Sequence, residues 1–315
     1  MDIWTWIPLI LMLVMFALRV PVAYSMIIAA AVYQLFGPNS MSVTTLIQKM
    51  QSSQESFVYL AIPFFTTAGV VFNYCGITRR IMNLADVLVG HITGGMGHVN
   101  CLVSTLMGGL SGSSNADAAM EAKMIVPEME RLGYSKGFSC AVTAASSAIT
   151  AIIPPGIILI LYATAANESV AKMFYGGYIP GALLCIALMV TVYIISKRRK
   201  YKPSREHIGS PTEIWSAFKD SFWALLIPFG ILMGLRGGMF TPTEAGAVCI
   251  VYSIFVGAVI YRELKLKDLI PILKESLVAT AGVMFILAGA NGLSSYLTWE
   301  SLPQRVTALI IDVCH

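Results

Sequence analysis

Gly108-Gly109-Leu110-Ser111-Gly112-Ser113-Ser114-Asn115-Ala116-Asp117 interrupts an apolar stretch running from 98 to 128, and it decides the fold. A lipid-facing helix cannot carry three glycines, three serines, an asparagine and an aspartate in ten residues, because backbone left unpaired in hydrocarbon is intolerable. Irregular backbone survives at membrane depth only where it is buried in protein or lines a cavity. The segment therefore predicts a helical hairpin with a polar tip. Its hydroxyls, carboxamide, freed main-chain carbonyls and one carboxylate are hard oxygen ligands suited to Na+. An Asp within a membrane domain is costly and by default functional. The helix after the turn aims its N-terminus at the tip, which favours an anionic group. A small-residue helix-packing face is the competing explanation; the density of polar residues speaks against it.

The rest of the chain supplies the membrane. Of 315 residues, 57% are apolar and 12% are Asp, Glu, Lys or Arg, about half the charged share of a soluble domain. Mean hydropathy is +0.74. The six cysteines (Cys75, Cys101, Cys140, Cys185, Cys249, Cys314) are scattered without a CxxC pair and read as small buried hydrophobes. The histidines show no metal-ligand spacing. The stretch from Ile3 to Leu18 is flanked by Asp2 and followed by no small-x-small site, so it reads as a retained helix rather than a signal peptide.

A spanning helix needs about 20 mainly apolar residues, fewer at a thin or buried position. The predicted spans are 3–18, 20–36, 57–75, 137–165, 173–196, 217–235, 243–261 and 275–298. Lys and Arg gather on the cytoplasmic side of short loops. Lys197-Arg198-Arg199-Lys200-Tyr201-Lys202 anchors the 197–216 loop inside. Counting outward from it puts Arg19, Arg79, Arg80, Arg131, Lys136, Arg262, Lys265, Lys267 and Lys274 inside as well. Lys49, Lys172, Arg236 and Arg305 fall outside, and so does the N-terminus. The pattern holds only if 98–128 enters and leaves on one face, so the hairpin is predicted to be re-entrant.

A second interruption lies at Thr143-Ala144-Ala145-Ser146-Ser147-Ala148-Ile149-Thr150-Ala151-Ile152-Ile153-Pro154-Pro155-Gly156. The two prolines remove N–H donors and bar α geometry just before them. This predicts a discontinuous helix over 137–165, with Ser146, Ser147 and Thr150 beside the break; a plain proline kink is the alternative. Hairpin tip and broken helix would supply two halves of one midplane site. Glu121 and Lys123, two residues apart, do not face each other on a helix, and are expected near the cytoplasmic end of the hairpin in contact with water. Asp86, Glu128 and Glu130 read as ordinary interface charges.

The chain also repeats itself. Spans 3–18, 20–36 and 57–75 form one trio, and 217–235, 243–261 and 275–298 form another that begins on the opposite face, the plan of an inverted repeat. Three regions follow: a first repeat over 1–196, a basic cytoplasmic linker over 197–216 and a partial second repeat over 217–315.

Several of these segments together resemble a known family. Gly109-Leu110-Ser111-Gly112-Ser113-Ser114-Asn115-Ala116-Asp117, Pro127, Gly133-Tyr134, Thr143-Ala144-Ala145-Ser146-Ser147 and Pro154-Pro155 resemble the large membrane subunit of tripartite ATP-independent periplasmic (TRAP) transporters. Phe240-Thr241-Pro242-Thr243-Glu244-Ala245-Gly246-Ala247 is similar to that family's second-repeat motif, and Arg19-Val20-Pro21-Val22-Ala23 to its first turn. The resemblance implies an all-α, elevator-type, Na+-driven importer in the bacterial inner membrane. Its organic-acid substrate, a C4-dicarboxylate or a sugar acid, would come from a periplasmic solute-binding protein, and a small four-helix membrane subunit would brace the carrier. Carried over by position, Ser111, Ser113, Asp117, Ser146 and Ser147 would surround Na+. Ser114, Asn115, Thr150, Pro154 and Pro155 would adjoin the substrate. The chain departs from the family at Thr150-Ala151, where Gly-Pro is common, and at Gly156, where Ser is. Family members usually continue into a second hairpin and a second broken helix, so the second repeat is expected to be incomplete at His315.

Other functions fit less well. A stand-alone sodium–dicarboxylate symporter of the same superfamily shares the membrane plan and is separated by dependence on a binding protein. A membrane-embedded enzyme would need a motif such as HExxH or GxSxG, and neither occurs. No nucleic-acid partner is expected. A purely structural bundle leaves Asp117 unexplained.

Overall fold

The computed structural model describes residues 3–37, 42–52 and 54–314, with the backbone alone at 3–5, 109–111, 306, 309, 310 and 312–314. Among the described residues the regular structure is helical throughout. In chain order the helices are α1 (Ile3–Ala17), α2 (Val22–Phe36), α3 (Val43–Ser52), α4 (Ala61–Tyr74), α5 (Ile77–Val89), α6 (Gly95–Ser111), α7 (Ser114–Met124) and α8 (Val126–Arg131). They continue with α9 (Lys136–Ile152), α10 (Ile157–Ala165), α11 (Val170–Arg199), α12 (Pro211–Arg236), α13 (Pro242–Phe255), α14 (Leu269–Trp299) and α15 (Leu302–Cys314). A 3₁₀ turn, Phe57–Leu60, leads into α4, and a π segment, Val256–Ile260, extends α13.

Phe57–Tyr74, Val170–Arg199, Pro211–Arg236, Pro242–Ile260 and Leu266–Trp299 are long and apolar enough to cross a bilayer. The pair α9–α10 qualifies as one broken span with a bend of 47°. α1 and α2 have 15 residues each, about 22 Å at 1.5 Å per residue, against a hydrocarbon core of about 30 Å.

The chain packs as two compact units, Met1–Ser56 with Val278–His315 and Phe57–Leu277. In the first, α2 packs on the Val278–Trp299 part of α14 and on α15. Its core is Met26, Ala29, Tyr33, Leu293, Tyr296 and Leu302. The Tyr33 and Tyr296 rings lie 4.6 Å apart at the centre, and the Tyr33 hydroxyl bonds Glu300. Burying two tyrosines in this core is favourable only with a partner for each polar tip, and Glu300 supplies one.

The second unit carries the hairpin. Helix starts are written locally in the sequence: Ser210 and Thr241 each form a capping box, with Glu213 and Glu244 three residues on and Pro at the first helical position. The sequence assigns no element to 77–89, yet α5 forms there with Ile77, Thr78, Ile81, Leu84, Ala85 and Val87 buried. That spacing of three and four is one amphipathic face. A hydropathy scan for spans passes over it because its other face is polar.

The basic linker is tied down. Ser204 and Arg205 N–H groups donate to Gly90 O at 3.0 and 3.3 Å, and Ser204 Oγ donates to Asp86 at 2.5 Å. Tyr201 stacks on Tyr134 with ring centres 4.5 Å apart, and the Tyr134 hydroxyl donates to Lys202 O at 2.8 Å. The strap thereby holds the C-terminal end of α5 and the start of α9, on either side of the hairpin's base.

Candidate functional site

The hairpin is made by α6 and α7, and the turn between them is two residues, Gly112 and Ser113. Gly112 has φ 59°, the left-handed conformation that glycine adopts without a Cβ penalty. A Cβ there would lie 2.4 Å from Pro155 O. Ser113 is extended and its side chain accepts from Ala116 N–H at 3.4 Å, which caps α7. The tip docks onto the broken helix: Ile157 N–H, the first of α10, donates to Gly112 O at 3.3 Å. Further down the hairpin, a Cβ on Gly108 would lie 3.1 Å from Thr150 Cα, so glycine lets α6 approach α9 closely.

The break itself follows the sequence. α9 stops at Ile152, Ile153 and Gly156 are extended, and the Pro154–Pro155 peptide bond is cis. Pro154, Pro155 and Gly156 are all buried.

Polar side chains cross between α6, α7 and α9 in two rungs one helical turn apart. In the rung nearer the tip, Thr150 Oγ1 donates to Asp117 Oδ2 at 2.7 Å, and it also lies 3.2 Å from Ser104 O. Asp117 is 1% exposed, and its other oxygen, Oδ1, is buried without a hydrogen-bond partner among the described residues. In the next rung Ser104 Oγ donates to Glu121 Oε1 at 2.7 Å, while Ser146 Oγ lies 3.4 Å from Glu121 Oε2. Ser146 donates to Asn100 Oδ1 at 2.5 Å, and Asn100 Nδ2 donates to Thr143 Oγ1 at 2.8 Å. Ser104, Asn100, Glu121 and Ser146 are each completely buried.

Electrostatics make this cluster unusual. Two carboxyl groups are buried one turn apart on α7, and among the described residues no Lys, Arg or His forms an ion pair with either. An unpaired buried charge costs several kcal/mol, roughly 3–5 by the effect of removing one partner of a pair. An Oδ1 atom left without a donor is what a bound cation would satisfy. The other oxygens of this rung, the Thr150 hydroxyl and the Ser104 carbonyl, are hard donors that fit such an ion.

The structure brings Thr150 and Asp117 into contact, and it sets Gly112 against Pro155 and Ile157. Ser146 reaches Asn100 and Glu121 rather than Asp117. Ser147 turns back on its own helix, donating to Ala144 O at 3.0 Å. Ser113 is committed to its cap, Ser114 is half-buried and Asn115 is exposed. The Ser111 side chain lies outside the described residues.

One expectation is corrected. Glu121 was expected in water near the end of the hairpin; it is 0% exposed at the centre of the second rung, and Lys123 alone of the two is exposed. The reason is helical period: Glu121 is four residues after Asp117, so both project from one face of α7, while Lys123 lies on another. Asn100 and Ser104 were also overlooked. Their spacing of four, matched by Asp117 with Glu121 and by Ser146 with Thr150, is the signal that could have found them.

Two cavities lie elsewhere. One of about 170 Å³ is apolar, between α12 and α13. The other, about 630 Å³, is lined by Arg79, Arg80, Asp86, Glu128, Arg131 and Ser204 among others. Arg79 and Arg80 pair with Glu263, Arg131 with Glu128 and Asp86 with Arg205.

Comparison with known proteins agrees with the motifs. The family model described as "Tripartite ATP-independent periplasmic transporter, DctM component" matches residues 9–315. The chain is 38% identical over 309 residues to the sialic acid TRAP transporter permease protein SiaT of Haemophilus influenzae, covering 98% of this chain and 50% of that protein. It is 39% identical over 293 residues to the sialic acid TRAP transporter large permease protein SiaM of Vibrio cholerae, covering 93% and 68%. It is 37% identical over 279 residues to the C4-dicarboxylate TRAP transporter large permease protein DctM of Pseudomonas aeruginosa, covering 89% and 64%. The chain thus spans half the length of the first of these relatives and about two thirds of the others. These relatives are transporter permeases, not enzymes, and their names differ in solute. With a family model matched over 9–315 and relatives of this identity along nearly all of its length, the chain belongs to the DctM component family of tripartite ATP-independent periplasmic transporters.

Proposed function

We propose that this chain is the carrier part of a large permease subunit that takes up an organic acid together with Na+. The observation that carries the ion coupling is Asp117: buried, held on one oxygen by Thr150, and on the other without a hydrogen-bond partner among the described residues. A site of this kind gains its counter-charge from the transported ion. Na+ at the Ser111–Asp117 turn would draw the tip and the broken helix together and complete the contacts for the substrate carboxylate. Coupling then arises because the two ligands favour the same closed arrangement.

The substrate class rests on the relatives. Sialic acid and C4-dicarboxylates, the solutes in their names, are both carboxylates, and the N-terminus of α7 at the tip is suited to an anionic group. Ser114 and Asn115 on the tip, with the Pro154–Pro155 edge of the break, would form its nearest contacts. A periplasmic solute-binding protein would deliver it, and a small membrane subunit would brace the carrier. The re-entrant hairpin and broken helix would move as one body in an elevator cycle, in an inner-membrane protein with 197–216 in the cytoplasm. The names of the relatives weigh against a stand-alone sodium–dicarboxylate symporter.

The test is uptake into liposomes by the protein with its partner subunits. Labelled sialic acid and C4-dicarboxylates would be supplied with and without an inward Na+ gradient. Uptake that requires Na+ and the binding protein, and that loses its Na+ dependence in Asp117→Ala, supports the proposal. Equal uptake with choline in place of Na+ overturns it.

A further inference from the structure

We infer that Glu121 is the positioning residue of the ion site: through its hydrogen bond to Ser104 on α6 and its contact with Ser146 on α9 it sets the register in which α7 presents Asp117 to Thr150. This rests on the Na+ reading above and assigns a second carboxyl to it in a different role. Glu121 lies one turn from Asp117 on α7, and Ser146 lies one turn from Thr150 on α9, so the two rungs are parallel. The rungs differ in how fully they are satisfied. Among the described residues Asp117 keeps one buried oxygen without a hydrogen bond, whereas Glu121 accepts from Ser104 on Oε1 and has Ser146 Oγ, whose proton goes to Asn100, 3.4 Å from Oε2. A carboxyl hydrogen-bonded to one neighbouring helix and set against a hydroxyl of another is built to hold helices, and the one with an oxygen free inside its rung is built to hold a ligand.

The surrounding bonds support the division. Asn100 on α6 reaches Thr143 with its amide nitrogen and accepts from Ser146 with its oxygen, so its orientation is fixed by both partners. Glu121 closes this network from the α7 side. Sliding α7 by one residue would break the contact with Ser104 and carry Asp117 away from Thr150. Metal affinity depends on groups of this kind, which fix the ligands without touching the ion, and losing one typically costs about 10–100-fold.

The experiment follows thermal unfolding of the full-length protein in detergent as NaCl replaces choline chloride at constant ionic strength. The readout is the Na+ concentration that gives half of the Na+-specific stabilisation. Glu121→Met keeps the volume but bonds neither serine, and it should raise that concentration about tenfold or more. Glu121→Gln can bond the same two hydroxyls and should stay within about twofold of the natural protein, because position and not charge is what it supplies. Ser104→Ala, a smaller change, should shift the midpoint in the same direction and decides the matter if the Met variant does not fold. Tyr134→Phe, at the strap, should lower thermal stability yet leave the Na+ midpoint unchanged. A natural midpoint in Glu121→Met or in Ser104→Ala overturns the inference while leaving Na+ coupling standing. Glu121→Gln as impaired as Glu121→Met also overturns it, by showing that the charge acts. A natural protein with no Na+-specific stabilisation removes the coupling itself, and the inference with it.

Discussion

Thr150 Oγ1 donates to Asp117 Oδ2 at 2.7 Å, joining the first turn of the helix that leaves the hairpin tip to the last turn of α9 before its break. The contact spans 33 residues of sequence and neither partner is exposed beyond 1%. A carboxylate in this place loses water on both oxygens and regains one hydrogen bond. The remaining deficit is what the proposed Na+ would make good.

Thr150→Val keeps the side-chain shape and removes that bond. Leaving a buried acceptor unsatisfied costs about 1–3 kcal/mol, more for a charged group. The variant should unfold at a lower temperature than the natural protein in choline chloride. An unchanged thermal midpoint would mean that the bond contributes nothing.

Gly112→Ala combines two penalties. Its Cβ would meet Pro155 O at 2.4 Å, and φ 59° is unfavourable for a residue with a Cβ, by about 1–2 kcal/mol. The tip must then lift from the break. Limited proteolysis should cut at 112–116 faster than in the natural protein, and Na+-dependent uptake should fall.

Tyr134→Phe removes the hydroxyl that donates to Lys202 O while keeping the ring stacked on Tyr201. A hydrogen bond of this kind contributes about 0.5–1.5 kcal/mol. Trypsin should therefore cleave after Lys200 more readily in the variant, with uptake retained.

Orientation is testable by labelling. A single cysteine at His207, in the strap loop, should react with a membrane-impermeant maleimide in inside-out vesicles. One at Met239, in the exposed turn between α12 and α13, should react from the opposite face. Labelling at His207 from the outer face would overturn the cytoplasmic 197–216 loop and the periplasmic N-terminus, and labelling of both from one side would overturn α12 as a span.

Much of this was legible in the chain itself, for local reasons. Pro154-Pro155 must interrupt a helix wherever it is placed, and Gly112 followed by Ser113 supplies both a left-handed residue and a helix cap. Ser210-Pro211 and Thr241-Pro242 mark helix starts through bonds made within four residues. α5 was missed because a search for long apolar runs rejects a helix whose polar face shows. Glu121 was misplaced because its nearest charged neighbour in sequence, Lys123, suggested water, whereas its packing is decided by Asp117 one turn away.

The sequence by itself determined the membrane class, the hairpin turn, the helix break and the family. These depend on composition, on backbone torsions and on motifs a few residues long. Only the tertiary structure decided that Thr150 faces Asp117, that Asn100 and Ser104 join Ser146 and Glu121, and that Ser147 does not. Each of those pairings sets a residue of one helix against a residue of another, 17 to 46 positions away in the chain. Which oxygen is satisfied and which stays free follows from how closely three helices approach, and glycines such as Gly108 permit that approach only once the helices have packed.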